Sequence, residues 1–177
     1  MTSDNEAQAY VLILTFSVCS TPQANGFKRT GKRMSGAFFP GGTAVALLRA
    51  AVWLRAHGLR PLAKLISALN FILTSVDAVP TLIVGHTFGL PHPAGVVLGG
   101  GCRIGNGVTI YQHVTLGQRH SREAVDGFPT LEDDVTVFAG AILIGPITVG
   151  RGSVVGANAI VLADVPPGAT VYGIWRG

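Results

Sequence analysis

The sequence is poor in charge and in aromatic side chains. Charged residues make up 12% and aromatic residues 7% of the 177 positions, whereas apolar residues reach 48%. So few charges leave much apolar surface to cover, and we expect part of that surface to be buried against other copies of the chain. The length predicts one domain, or one domain with an appendage.

Cysteine is equally scarce. The two cysteines, Cys19 and Cys102, belong to no C-x-x-C motif and to no Cys/His cluster. Their number and spacing argue against a disulfide framework and a structural zinc site. We expect no bound metal and a reducing compartment, the cytoplasm.

No apolar run reaches the ~20 residues that cross a bilayer. The run YVLILTFSVC at 10–19 is too short, and Asp4 and Glu6 precede it where a signal peptide would carry positive charge. The polar, basic stretch after it has the composition of a linker. We therefore predict a leader and linker over 1–42, with 1–33 poorly structured and Met34 as the natural start.

Phosphate-cradling and dinucleotide-binding glycine motifs are also missing. A nucleic-acid-binding face interleaves basic and aromatic residues, whereas eight of the 13 Lys and Arg residues here fall in the first 64 positions, on the predicted linker and helices. We expect no nucleic-acid partner. The basic front end fits a solvated face, or contact with anionic lipid or phosphorylated ligands.

Two helical patterns are present. Thr43 is the predicted N-cap of a helix over 44–57, and Pro61 suits the start of a second helix. Apolar residues within 62–75 recur at i, i+3, i+4 and i+7, as on one helix face. We predict a helical hairpin at 43–76 whose second helix packs on protein; peripheral contact with a membrane stays open.

From Asp77 onward a six-residue repeat replaces the helical pattern. An aliphatic residue recurs at every sixth position in two runs, and a small residue often follows it. Three short strands and three corners would make one turn of a triangular prism, with the aliphatic side chains inside. We predict a mainly β fold, a left-handed parallel β-helix over 77–177. The aliphatic series is Leu98, Ile104, Ile110, Leu116, Leu131, Val137, Leu143, Val149, Val155 and Val161.

The repeat is interrupted once and preceded by an unusual histidine. Leu116 and Leu131 are not separated by a multiple of six, so 117–130 is predicted to leave the prism as an inserted loop. Such loops often carry binding residues, although an insertion without function is the alternative.

His92, between two prolines, either fills a corner of the prism or is held there to take part in chemistry.

Five stretches of the sequence resemble the serine acetyltransferase branch of the hexapeptide-repeat acyltransferases. The resemblance covers about residues 43–173 and implies transfer of acetyl from acetyl-CoA to a hydroxyl, without a metal. The stretches are SVDAVP at 75–80, PHPAGVVLG at 91–99, VTIYQHVTLG at 108–117, FPTLEDDVTVFAGA at 128–141 and GANAIVLADVPP at 156–167.

By this resemblance His92 is the general base and Asp77 is the carboxylate that orients it. The chemistry requires such a pair, because a hydroxyl is a weak nucleophile until a base takes its proton. A neighbouring carboxylate fixes the tautomer of the imidazole and stabilises its charged form.

The resemblance also implies a homotrimer with acetyl-CoA in the groove between neighbouring subunits. Ala139 and Ala157 match positions whose main chain meets the pantetheine arm. Gly117 begins the loop whose N–H groups would face the cofactor thioester and its oxyanion. Arg151 is a candidate partner for the CoA phosphates.

The sequence departs from the family where serine is held. The family has Asp before the catalytic His and an Arg-His pair before the Pro of the return strand; here these positions are Pro91, Gly127 and Phe128. The carboxylate of serine loses a charge-assisted contact worth about 1.5–3 kcal/mol. The motifs PHPAG, LGQR and FPTL look closer to acetyltransferases of polysaccharide and other sugar hydroxyls.

We therefore expect a sugar or other small-molecule acceptor, bound by Pro91, His113 and Arg119, with His120 and Arg122 of the inserted loop. One alternative is a serine O-acetyltransferase of cysteine biosynthesis. Another, of a different class, is a non-catalytic structural β-helix trimer.

Overall fold

A computed structural model describes residues 40–119 and 127–177. The predicted leader up to residue 39 lies outside the described residues, as do His120 and Arg122 of the inserted loop. In the described part, two helices are followed by fourteen short strands.

The helices are α1 (Pro40–Ala56) and α2 (Arg60–Thr74). The prediction that Thr43 caps the first helix was wrong, because α1 already includes Pro40 and Thr43 lies inside it. Pro61 stands in the first turn of α2, as predicted. Ser75 ends α2 in a left-handed conformation and donates its N–H to the carbonyl of Phe71 at 2.9 Å.

The two helices meet through small and polar residues of α2. Ala63, Asn70 and Thr74 are buried, and the Asn70 amide donates to the carbonyl of Ala44 at 3.2 Å. The Thr74 hydroxyl donates to the Asn70 carbonyl at 2.8 Å. This contact is narrow, and the apolar stripe of α2 does not pack on the described residues of its own chain. Packing of the second helix on protein therefore stays a prediction. The exposed side chains are Leu62, Leu65, Leu69, Ile72 and Leu73.

The strands that follow are each two or three residues long. They are β1 (Asp77–Ala78), β2 (Ile83–Val84), β3 (Val97–Leu98), β4 (Arg103–Ile104), β5 (Thr109–Ile110), β6 (Thr115–Gly117), β7 (Thr130–Leu131), β8 (Thr136–Val137), β9 (Ile142–Ile144), β10 (Thr148–Val149), β11 (Val154–Val155), β12 (Ile160–Val161), β13 (Thr170–Val171) and β14 (Ile174–Trp175).

All strand pairs are parallel, and three sheets form the walls of one prism. The first sheet has the order β1-β3-β6-β9-β12-β14, the second β10-β7-β4-β2 and the third β13-β11-β8-β5. Every member of the aliphatic series is at most 2% exposed, so the six-residue repeat supplies the core. The predicted parallel β-helix is confirmed.

Two of the three corners turn through residues with a left-handed backbone. Glycine, Asn and Asp tolerate this conformation best, since other side chains crowd the following carbonyl there. His113 is an unusual member, with φ of 58°. One corner column contains Ser75, Gly95, His113, Gly140 and Asn158, and the other contains Gly107, Asp134, Gly152 and Gly168.

Helix α1 is fixed to the first coils of the prism. The Arg49 guanidinium donates to the carbonyls of Gly85 at 2.9 Å and His86 at 2.6 Å, and partial burial lowers the pKa of Arg49 from its usual value. Gly41 packs so closely that a Cβ there would overlap the carbonyl oxygen of Leu90. The chain just before His92 is therefore held by a helix.

The thiol of Cys102 should be inert in the folded protein. Burial raises its pKa to about 12, and the thiolate is the reactive form. In a Cys19→Ser variant we expect an aromatic disulfide reagent at pH 8 to detect no thiol in native protein and one thiol in guanidinium chloride. Fast labelling of the native variant would contradict this account of the core.

Candidate active site

His92 is presented to solvent by a fixed stretch of backbone. Leu90 and Pro93 on either side are buried, whereas the His92 side chain is exposed. The next coil holds this stretch, since the His113 N–H donates to the carbonyl of Ala94 at 2.9 Å. The sequence left two interpretations of His92 open. Its exposure argues against a packed corner histidine.

Strand register places His92 just before a column of corner residues. Val97 is paired with Thr115, Thr115 with Ile142, and Ile142 with Ile160. Counting back three residues from these pairs aligns four residues along the prism axis, which we call the His92 column because its first member lies two residues after His92. Coils are about 4.8 Å apart, so the column extends roughly 14 Å. Its members are Ala94, Gln112, Ala139 and Ala157.

An aromatic stack lies beside the His92 column. The ring centroids of His92 and Tyr111 are 6.3 Å apart with an interplanar angle of 40°. Tyr111 stacks in turn on Phe138, at 5.2 Å and 13°. One face of Tyr111 is thus covered by Phe138, and His92 lies within contact distance of the ring system.

Sequence reasoning missed Tyr111 and Phe138, although a signal for them existed. Each directly follows an inward aliphatic residue, a position that is glycine at 99, 105, 117, 150 and 156. Both bulky side chains occupy a position that is often glycine in the repeat, and both lie in the same corner column. This pattern indicates that the surface there does more than turn the corner.

Asp77 lies in β1, paired with Val97 of β3. Its side chain is exposed and borders a depression that is also lined by Ser67 and Phe71 of α2. Among the described residues no hydrogen bond joins the Asp77 carboxylate to His92. Their pairing stays a prediction.

Two predicted acceptor residues do share the corner of His92. Pro91 directly precedes it and is exposed. His113 follows Gln112, and its imidazole lies over Gly95, where a Cβ would overlap the ring. This corner therefore combines two imidazoles with the column of small residues.

Three other predicted residues lie at different corners of the same chain. Gly117 ends β6 at the opposite edge of the first sheet, and Arg119 follows two residues later, where its N–H donates to the carbonyl of Gly127 at 3.0 Å. Arg151 is at the third corner, and its guanidinium pairs with Asp133 at 2.9 Å. One chain does not bring these residues to His92, so their predicted roles need a neighbouring subunit.

The positions where the family resemblance implies an Arg-His pair, Gly127 and Phe128, carry no charge here. The Phe128 ring lies against Gly99 and Gly101, where a Cβ on either would overlap it. Gly127 is buried, and a Cβ there would come 2.7 Å from Cγ of Gln118. The base of the inserted loop is closed by packing.

The described ranges contain no group of three or more His, Cys, Asp or Glu residues that could hold a metal ion. None of the helices described is long and apolar enough to cross a membrane.

Comparisons with known proteins agree with this geometry. The family model described as the hexapeptide repeat of succinyl-transferase matches residues 91–112 and 130–163. A serine acetyltransferase of Bacillus subtilis is 44% identical over 113 residues, which cover 64% of this chain and 52% of that protein. The chain spans about half the length of the curated relatives it matches.

Solved structures give the same result. The soybean serine acetyltransferase apoenzyme superposes with a TM-score of 0.74 and 35% identity, over 81% of this chain and 60% of that one. A serine acetyltransferase in complex with CoA superposes with a TM-score of 0.67 and 33% identity, over 72% of this chain and 52% of that one. The chain has the hexapeptide repeat and the left-handed β-helix fold, and it resembles the serine acetyltransferases in both sequence and fold.

Proposed function

We propose that the protein is an acetyl-CoA-dependent O-acetyltransferase whose acceptor is a hydroxyl of a sugar or another small molecule. The observation that carries the proposal is an exposed histidine two residues before a corner column that contains Ala94, Ala139 and Ala157. The similarity to serine acetyltransferases, one of them solved with CoA, supports acetyl-CoA as the co-substrate.

In the proposed reaction His92 takes the proton of the acceptor hydroxyl as its oxygen attacks the thioester carbonyl. The C–O bond forms, and the carbonyl electrons move to the oxygen of a tetrahedral intermediate. Collapse of this intermediate breaks the C–S bond, and the imidazolium returns the proton to the departing CoA sulfur. The products are the acetyl ester and free CoA, and the chemistry as written requires no metal.

The cofactor would lie along the His92 column. The side chains of Ala139 and Ala157 are small enough to let a pantetheine arm approach the backbone. A second copy of the chain would close this groove and contribute Gly117, Arg119 or Arg151 from its own corners. We propose a homotrimer for this reason, working in the cytoplasm, where acetyl-CoA is made and used.

Two acceptor classes are compared, L-serine and a sugar hydroxyl. The names of the relatives favour L-serine. The packing of Gly127 and Phe128 favours an acceptor that needs no guanidinium, such as a sugar hydroxyl. His113 and Pro91 would then form its side of the cleft.

Replacing the base tests the mechanism. General-base catalysis is worth about 10²–10⁴-fold, so His92→Ala should lower CoA-thiol release by at least two orders of magnitude. Asp77→Asn should cost less, since the base remains. Sedimentation velocity should show a trimer for the wild type and both variants.

Near-wild-type turnover by His92→Ala would refute the role of His92. A monomeric wild type would refute the shared groove. A wild type that releases no thiol with any acceptor would favour the structural trimer.

Tyr111 should act as a positioning residue for His92. Removing the ring in Tyr111→Leu should lower kcat, leave the KM for acetyl-CoA unchanged, and move the NMR resonance of the His92 Cε1 proton through loss of the ring current. Tyr111→Phe, which keeps the ring, should restore kcat and the position of the resonance. Tyr172→Leu is the matched control on a later coil. An unmoved resonance in Tyr111→Leu would show that the stack does not hold the imidazole.

A panel of acceptors decides the substrate class. Thiol release should be measured with serine, homoserine, nucleotide sugars and aminoglycoside-like sugars at equal concentrations. We expect a sugar to exceed serine in kcat/KM, because the site offers no carboxylate anchor. A sub-millimolar KM for serine, within the common enzyme range of about 1 μM to 1 mM, would instead establish the serine acetyltransferase alternative.

A further inference from the structure

Helix α2 presents an uncovered apolar surface, which we call the α2 stripe. Its five side chains follow the i, i+3, i+4, i+7 spacing, and Ile72, Leu65 and Leu73 are 75%, 63% and 60% exposed. The helix has 15 residues and is therefore about 22 Å long, and the stripe runs most of that length. The stripe consists of Leu62, Leu65, Leu69, Ile72 and Leu73.

The tip of the hairpin extends the same kind of surface. Trp53 near the end of α1 and Leu59 just before α2 are 41% and 47% exposed. Trp53 stacks on His57 with ring centroids 4.1 Å apart. An amphipathic ring beside exposed aliphatic side chains is the composition found where protein meets the interface of a bilayer.

Charge in the molecule is polarised toward this end. Residues 40–76 contain Arg49, Arg55, Arg60, Lys64 and no acid, whereas 77–177 contain more acids than Lys and Arg together. Arg49 is engaged with backbone carbonyls, but Arg60 and Lys64 are exposed. Arg60 and Lys64 lie outside the apolar stripe, on the polar part of α2, which is where helices that bind anionic lipid surfaces carry their Lys and Arg residues. Their attraction to such a surface is screened beyond a Debye length of about 8 Å at physiological salt.

We propose that the hairpin docks on an anionic lipid surface, with α2 lying in the plane of the interface and the α2 stripe among the acyl chains. The stripe carries no hydrogen-bonding group that a polar partner would need to satisfy. Since no helix among the described residues can cross a membrane, the contact is peripheral. The surface is independent of the proposed acetyl transfer.

A second copy bound through a two-fold contact is a weaker occupant for the α2 stripe. In such a contact the same face meets itself, so the hairpins of both copies would approach each other. Their cations would then lie close together, and residues 40–76 offer no carboxylate to pair with them. An anionic surface meets the apolar stripe and the cations at once.

The test is co-sedimentation of the full chain with large unilamellar vesicles. We expect binding to phosphatidylcholine/phosphatidylglycerol vesicles at 3:1 and at least tenfold weaker binding to pure phosphatidylcholine. Binding should fall as NaCl is raised from 50 to 500 mM, because screening removes the electrostatic part. Leu65→Gln/Ile72→Gln should reduce binding at least tenfold, and Arg60→Gln/Lys64→Gln should reduce it several-fold.

The matched control is Ile83→Gln, an exposed apolar residue of the β-helix that is 57% accessible, which should bind as the wild type does. Both stripe residues are exposed, so their replacement leaves the core intact, and circular dichroism should confirm the fold. Binding to anionic vesicles that is absent, or unchanged in Leu65→Gln/Ile72→Gln, would overturn the proposal. A smaller oligomer in that variant with unchanged vesicle binding would assign the stripe to a second copy instead.

Discussion

The structure depends on one inward aliphatic side chain in every six residues. Each such residue, for example Leu98, Leu116 and Leu143 of the first sheet, lies directly above its counterpart one coil before. Burial of a side chain of this size contributes roughly 1.5–3 kcal/mol. A one-residue slip would turn a whole coil inside out, so the core fixes the register of all three walls.

Fixed register turns the corners into straight lines of residues. A corner side chain cannot reach far on its own, but its neighbours above and below are set by the core, not by local sequence. Ala94, Gln112 and Ala139 are therefore aligned although 45 residues of sequence separate the first from the last. The insertion between Leu116 and Leu131 leaves this alignment intact, because Thr130 and Leu131 rejoin the second sheet in register with β4.

The repeat made the fold predictable, since period six has a single geometric cause. It could not show which face of α2 would be covered. Helical periodicity identifies an apolar stripe, but the partner helix selected Ala63, Asn70 and Thr74 instead, which allow close approach. Tyr111 was missed because only the register reveals its contact with His92. The separation of Arg151 from His92 is likewise a property of which corner each occupies.

Because the predicted site residues are spread over three corners, a single prism cannot bring them together. Its walls are rigid, and side chains at different corners point away from one another. Only a second prism placed alongside can bring Arg119 or Arg151 of one copy to the His92 column of another. If the proposed reaction holds, assembly is a condition for catalysis as well as for burying the apolar walls. The α2 stripe lies on the helical hairpin, outside these walls, and is the surface proposed to meet lipid.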